Sequence, residues 1–269
     1  MARERVCKCG QGSALRTSCQ RSGRGRALLL PARAAPGRAE SLGGRRQTLV
    51  LAFIPTYRSA IMIVPAQHVA RTAESSGQFL PFHLVSDWLD PQDADALLDF
   101  ALATEDRFTP AQILYDGQRR LDTMIRQSSR LDVPEPFAAL LTAHALKLQP
   151  LVAEMLGVPP FAPTHVEMEL AAHGDGARFD RHIDTLVVGN RRQTPRILTF
   201  VLYLFKRPAR FSGGALRFYA LGGSGVVDVA PQHNAVVAFP AIAPHSVERV
   251  SCGPAFADRR FAVTLWLHR

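Results

Sequence analysis

His165-Val166-Glu167-Met168-Glu169-Leu170-Ala171 is where the chain changes period. Val166, Met168 and Leu170 alternate with Glu167 and Glu169. That two-residue repeat marks a half-buried strand, because successive side chains on an extended backbone point to opposite faces. Similar segments follow at Ile197 to Phe205, Ala215 to Tyr219, Val226 to Val229, Ala235 to Phe239, Ser246 to Val250 and Arg260 to His268. Gly213-Gly214, Gly222-Gly223 and Pro231 punctuate them as turns.

Before Pro163 the period is helical. The folded region is expected to begin near Phe79, and Asp90-Pro91-Gln92-Asp93 reads as a helix start, with Asp90 as cap and Pro91 in the first turn. Ala94, Leu97, Leu98, Ala101 and Leu102 then share one helical face. A second helix is predicted over Phe137 to Leu156, with Leu140, Leu141, Ala145, Leu148, Leu151, Val152 and Met155 apolar and Gly157 as its stop. Helices first and short strands afterwards predict an α+β fold, in which a helical support (79–160) packs on a β-sandwich or jelly roll (161–269).

The net charge of +9 is unevenly placed. Residues 1–60 hold twelve Lys and Arg against two acids, whereas the remainder holds twenty against twenty-one. The Arg-, Gly- and Ser-rich start buries too little apolar surface to offset ordering, so residues 1–61 read as a disordered basic extension. It is either transit-like or sequence upstream of a later start such as Met62. With the net positive charge confined there, nucleic-acid binding is not expected as the main function. Leu49 to Val64 is broken by Pro55, Tyr57, Arg58 and Ser59, so no membrane span is expected. Cys7, Cys9, Cys19 and Cys252 make no disulfide framework, which points to a reducing, cytoplasmic setting.

His182-Ile183-Asp184 places an imidazole and a carboxylate on one side of an extended segment. Alone, such a pair is more readily a solvated surface feature. His245, between the apolar run Val236 to Pro240 and the alternating Ser246 to Val250, offers a third ligand that could reach across a sandwich. Two imidazoles and one carboxylate leave positions open on the far side of a metal, a donor set suited to non-haem Fe(II). On the last strand Arg260, Ala262, Thr264 and Trp266 share a face. A guanidinium turned inward there is costly unless it meets an anion, and a dicarboxylate would match its fork. The other reading of Arg260 is an exposed edge residue bridged to Asp258. Arg259, on the opposite face, is its competitor.

At this point the sequence resembles the Fe(II)/2-oxoglutarate dioxygenase superfamily, in its prolyl 4-hydroxylase-like branch. The resemblance is carried by Gly174 to Thr185, Ile197 to Leu204, Phe211 to Arg217, Val236 to Val250 and Arg260 to Trp266. It covers roughly residues 161–269 and implies a double-stranded β-helix. It implies His182, Asp184 and His245 as catalytic iron ligands, and Arg260 and Thr264 at the distal carboxylate of 2-oxoglutarate. Tyr203 would help hold the same co-substrate, or is a core aromatic. Implied cofactors are Fe(II), 2-oxoglutarate and ascorbate. The implied reaction consumes O₂, releases succinate and CO₂, and hydroxylates a C–H bond of a prolyl residue, another peptide or a small molecule. Cys252 to Asp258 looks like an inserted loop, setting Arg260 farther from His245 than the family places it.

His165, His173, His233 and His268 read as structural or solvated. Leu186 to Gln193, with Arg191 and Arg192, is expected near the pocket mouth, facing an acidic substrate. A non-catalytic, cupin-like metal-binding sandwich is the alternative, distinguished by having no need of a dicarboxylate clamp.

Overall fold

The computed structural model describes residues 62–65, 77–115, 118–185 and 195–269. The basic extension with Cys7, Cys9 and Cys19, and the Leu186 to Gln193 segment, lie outside the described residues.

The strands that build the site are β1 (His165–His173), β2 (Arg178–His182), β3 (Arg196–Leu204), β4 (Leu216–Tyr219), β5 (Val226–Val229), β6 (Ala235–Pro240), β7 (His245–Val247) and β8 (Arg260–His268). They pair antiparallel in two sheets, one in the order β6-β3-β8-β1 and the other in the order β5-β4-β7-β2. This is a jelly-roll-like arrangement. Shorter strands extend the first sheet to eight, His83–Ser86 beyond β6 and Ser129–Leu131 beyond β1 among them.

The first sheet is buried on both faces. Phe200, Leu202 and Leu204 of β3, with Phe261, Val263 and Leu265 of β8, share one core with helices α1 (Pro91–Ala103) and α2 (Glu135–Met155). The alternate residues Val201, Tyr203 and Ala262 face Leu216, Phe218 and Val227 of the second sheet. Two-sided burial explains why β3 and β6 read as nearly continuous apolar runs.

Asp90 caps α1 by accepting from the Gln92 N–H at 3.1 Å. Gly157, at φ +66°, closes α2, and the Val158 N–H reaches the Ala153 carbonyl. The expectation for 79–160 omitted several strands: His83–Ser86 and the short pieces between the helices are too brief to show a period. The segment predicted over Ser246 to Val250 is two strands, β7 starting at His245 and Val250–Cys252 pairing with Phe211–Gly213. Alternation reports an extended backbone but not which strand it pairs with. The Glu face of β1 does not meet solvent alone either: Glu169 pairs with Arg126 and Arg130, and Glu167 with Arg196.

Candidate metal centre and anion pocket

β2 ends at His182, and its ladder partner on β7 is His245. Pairing of β2 with β7 therefore sets two imidazoles side by side, with ring centroids 4.2 Å apart. Asp184 lies just past the end of β2. The N–H groups of Asp184 and Thr185 both donate to the Ala241 carbonyl, at 2.9 and 3.0 Å, which folds the chain back toward the rings. One ligand atom from each of His182, Asp184 and His245 then lies within 4.8 Å of the others. The Asp184 oxygens are 3.7 Å from each Nε2.

The hydrogen bonds of the rings select the ligating nitrogen. Nδ1–H of His182 donates to the Asp180 carbonyl and Nδ1–H of His245 to the Ala243 carbonyl, both at 2.8 Å. Carbonyls only accept, so each Nε2 keeps its lone pair for a cation. Burial, reinforced by the neighbouring His245, lowers the His182 pKa to about 3. Burial alone would raise the Asp184 carboxyl, but His245, His182 and the Thr199 hydroxyl outweigh it and the net shift is downward. Thr199 Oγ1 donates to Asp184 Oδ2 at 2.8 Å. A neutral His182 and an ionised Asp184 are the forms that bind a divalent metal.

The inner face of β3 connects this cluster to a buried cation. Thr199 and Tyr203 lie on the same face, and the Arg260 guanidinium stands 5.1 Å from the Tyr203 ring centroid. Arg260 is 1% exposed, and its Nε and NH1 have no hydrogen-bond partner among the described residues; the Tyr203 hydroxyl has none either. Burial lowers the Arg260 pKa, with Tyr203 opposing. Burial pushes the Tyr203 phenol up to about 12. One unpartnered phenol hydroxyl beside a desolvated guanidinium makes this a candidate anion site.

Arg260 is therefore not an exposed edge residue, and Asp258 approaches Arg210 instead, at 3.5 Å. Arg259 lies over the Phe256 ring and lines a separate cavity of about 530 Å³ with Phe108, Ser128 and Gly174. Phe256 itself is buried against Phe108 and Phe261, which anchors the Cys252 to Asp258 segment ahead of β8. Thr264 shares the inner face of β8, opposite Val201 and Glu169. It stands four residues from Arg260, about 13 Å at a rise of about 3.3 Å per residue.

His233 Nδ1 accepts from the Phe205 N–H, and His165 stacks on His268. His173 is the register partner of Arg260, buried, with burial the main cause of its strongly lowered pKa. Sequence reasoning missed Thr199, whose hydroxyl reads as one more β-former, and Gly214. A Cβ on Gly214 would stand 2.9 Å from Arg260 Nε, and its φ is +68°. A Gly-Gly pair announces a turn, not the side chain that the turn must clear.

Residues 168–268 match the family model described as the 2OG-Fe(II) oxygenase superfamily. An uncharacterized PKHD-type hydroxylase of Synechocystis sp. is 24% identical over 207 residues, 73% of this chain and 66% of the relative, so the match spans just under two thirds of that protein. A prolyl-4-hydroxylase from Pseudomonas putida aligns with a TM-score of 0.52 at 20% identity, over 70% of this chain and 92% of that one. A prolyl hydroxylase from Trichoplax adhaerens, in complex with a hypoxia inducible factor peptide fragment, aligns at 0.48 and 20% identity, over 70% and 83%. The Pseudomonas likeness shows a shared fold.

Proposed function

We propose, from the premise that residues 168–268 belong to the 2OG-Fe(II) oxygenase superfamily in its prolyl 4-hydroxylase-like branch, that the chain is an Fe(II)- and 2-oxoglutarate-dependent hydroxylase. His182, Asp184 and His245 would hold the iron. Arg260 and Tyr203 would receive the distal carboxylate of 2-oxoglutarate, with Thr264 farther along the same face. The observation that carries this reading is the fully buried Arg260, with no hydrogen-bond partner at two nitrogens among the described residues, on the inner face that also positions Asp184 through Thr199. A plain metal-binding sandwich gives no reason to bury that cation, which is costly without an anion.

The donor set fits a ferrous ion: two imidazole nitrogens and one carboxylate oxygen within 4.8 Å of one another, which would hold it while leaving room for further ligands. Iron held there would supply the O₂ chemistry that splits 2-oxoglutarate into succinate and CO₂ and hydroxylates a C–H bond. The protein's own residues do the rest. Nδ1–H bonds orient the imidazoles, Thr199 fixes the Asp184 carboxylate, and Ala262 and Val201 keep the space between the two subsites apolar. Helices α1 and α2 would brace the outer face of the first sheet, keeping β3 and β8 rigid beneath the site. We read the substrate as a prolyl residue, another peptide position or a small molecule, the compartment as reducing and cytoplasmic, and ascorbate as an accessory reductant.

The test is anaerobic loading with Fe(II) and 2-oxoglutarate, then exposure to O₂ with succinate measured. Wild type is expected to form succinate and His182→Ala to remain at background. Candidate substrates are then ranked by how far they stimulate turnover. Equal succinate from both proteins would reject the reading.

A further inference from the structure

Asp184 sits beyond the end of β2, so no strand ladder fixes it. Three other contacts do. Its N–H donates to the Ala241 carbonyl at 2.9 Å, its carboxylate accepts from Thr199 at 2.8 Å, and its carbonyl accepts from Arg196 NH1 at 3.2 Å. The third of these belongs to a larger array.

Arg196 opens β3, and its guanidinium is held on several sides. Nε donates to Glu167 Oε2 at 3.0 Å, and NH2 reaches both Glu167 oxygens at 2.7 Å. Its Cζ lies 4.0 Å from the Trp266 ring centroid. Glu167 also receives His268 Nε2 at 3.1 Å. Thr185 Oγ1 closes the circuit by donating to the Arg196 carbonyl at 3.1 Å. Glu167, Arg196 and Trp266 stand on β1, β3 and β8, so an element of the first sheet grips the backbone that follows a strand of the second.

We propose that Arg196 is a positioning residue for the metal ligand Asp184, anchored for that role by Glu167 and Trp266. This rests on reading Asp184 as a ligand, as above. A fork of planar donors is required: two nitrogens engage the carboxylate while NH1 points to the Asp184 carbonyl. A lysine supplies one ammonium and cannot serve both while also standing over the indole. Arg260 and Tyr203 take no part in the array, so its loosening should weaken metal binding and leave the anion pocket intact. Partners that orient a ligand are typically worth about 10–100-fold in metal affinity.

The experiment titrates metal-free protein with Co(II), following the ligand-field absorption, for wild type, Arg196→Lys, Glu167→Gln and Asp184→Ala, alongside thermal melting without metal. Arg196→Lys is expected to bind Co(II) about 10–100-fold more weakly, with an altered absorption envelope, while melting close to wild type. Glu167→Gln keeps the guanidinium but loosens its fork, so it should fall between the two and decides the matter if Arg196→Lys fails to fold. Wild-type affinity and spectrum in Glu167→Gln and in any folded Arg196→Lys would overturn the positioning role; loss of Co(II) in Asp184→Ala would then leave the metal site standing. If wild type takes up no Co(II), or Asp184→Ala binds it unchanged, the metal reading itself fails and this inference with it.

Discussion

The two faces of the first sheet are made by alternate residues of the same strands, yet they do opposite work. On the helix side β3 presents Leu198, Phe200, Leu202 and Leu204, and β8 presents Phe261, Val263, Leu265 and Leu267, all buried and all apolar. On the inner side the same strands present Thr199 and Tyr203, and Arg260 and Thr264. The first face buries hydrocarbon against α1 and α2, which stabilises the fold. The second also packs Val201, Tyr203 and Ala262 against the second sheet, but among the described residues it carries a desolvated cation and donors without partners, which oppose stability in the absence of an anion. The polar groups of the candidate site thus lie one residue of strand away from the apolar helix-side core, and substitutions on the two faces should differ in which property they move most.

The largest effect expected is on the inner side. His245→Ala or Asp184→Ala should reduce metal-dependent succinate formation to background, with metal-free melting little changed; an unfolded variant would blur the division. On the helix side Phe200→Ala should cost about 3–5 kcal/mol of stability through the cavity it leaves, read from the denaturant midpoint, while the folded fraction still takes up metal. Loss of metal binding in folded Phe200→Ala would break the division outright.

Arg260→Met sharpens it further, because the two properties should move in opposite directions. Half-saturation by 2-oxoglutarate should rise at least about 30-fold, as when one partner of a buried charge pair is lost. The metal-free protein should melt no lower than wild type, since replacing a poorly partnered buried charge by a hydrophobe is often stabilising by about 1–4 kcal/mol. Gly214→Ala mixes both: its left-handed backbone costs about 1–2 kcal/mol, and its Cβ crowds Arg260 and Val250, so co-substrate affinity should fall as well. The smallest effect belongs to Asp90→Ala, far from either subsite. Loss of the α1 cap should cost about 1 kcal/mol in melting, with turnover unchanged.

Much of this architecture was legible without coordinates. Asp90 and Pro91 announced α1, Gly157 the end of α2, and the alternation in Arg260 to His268 located β8 at its observed limits. Those signals are local: caps act within a turn and alternation within one strand. The spacing His182-x-Asp184 suggested a shared side, although Asp184 proves to leave the strand and to be turned back by the Ala241 carbonyl. Thr199, Gly214 and Arg196 gave no warning, because a threonine, a glycine or an arginine in such positions is common for reasons unrelated to a site.

By itself the amino-acid order determined the two helices, the long strands and their apolar faces, and which few side chains are candidates for metal-ligand or anion chemistry. Only the tertiary structure decided that β2 pairs with β7, and so that His182 meets His245, that Arg260 is sealed from water, and that Arg196 reaches back to Asp184. The reason is physical. Periodicity and capping depend on neighbours along the chain, whereas strand pairing and desolvation depend on contacts between segments that are far apart in it.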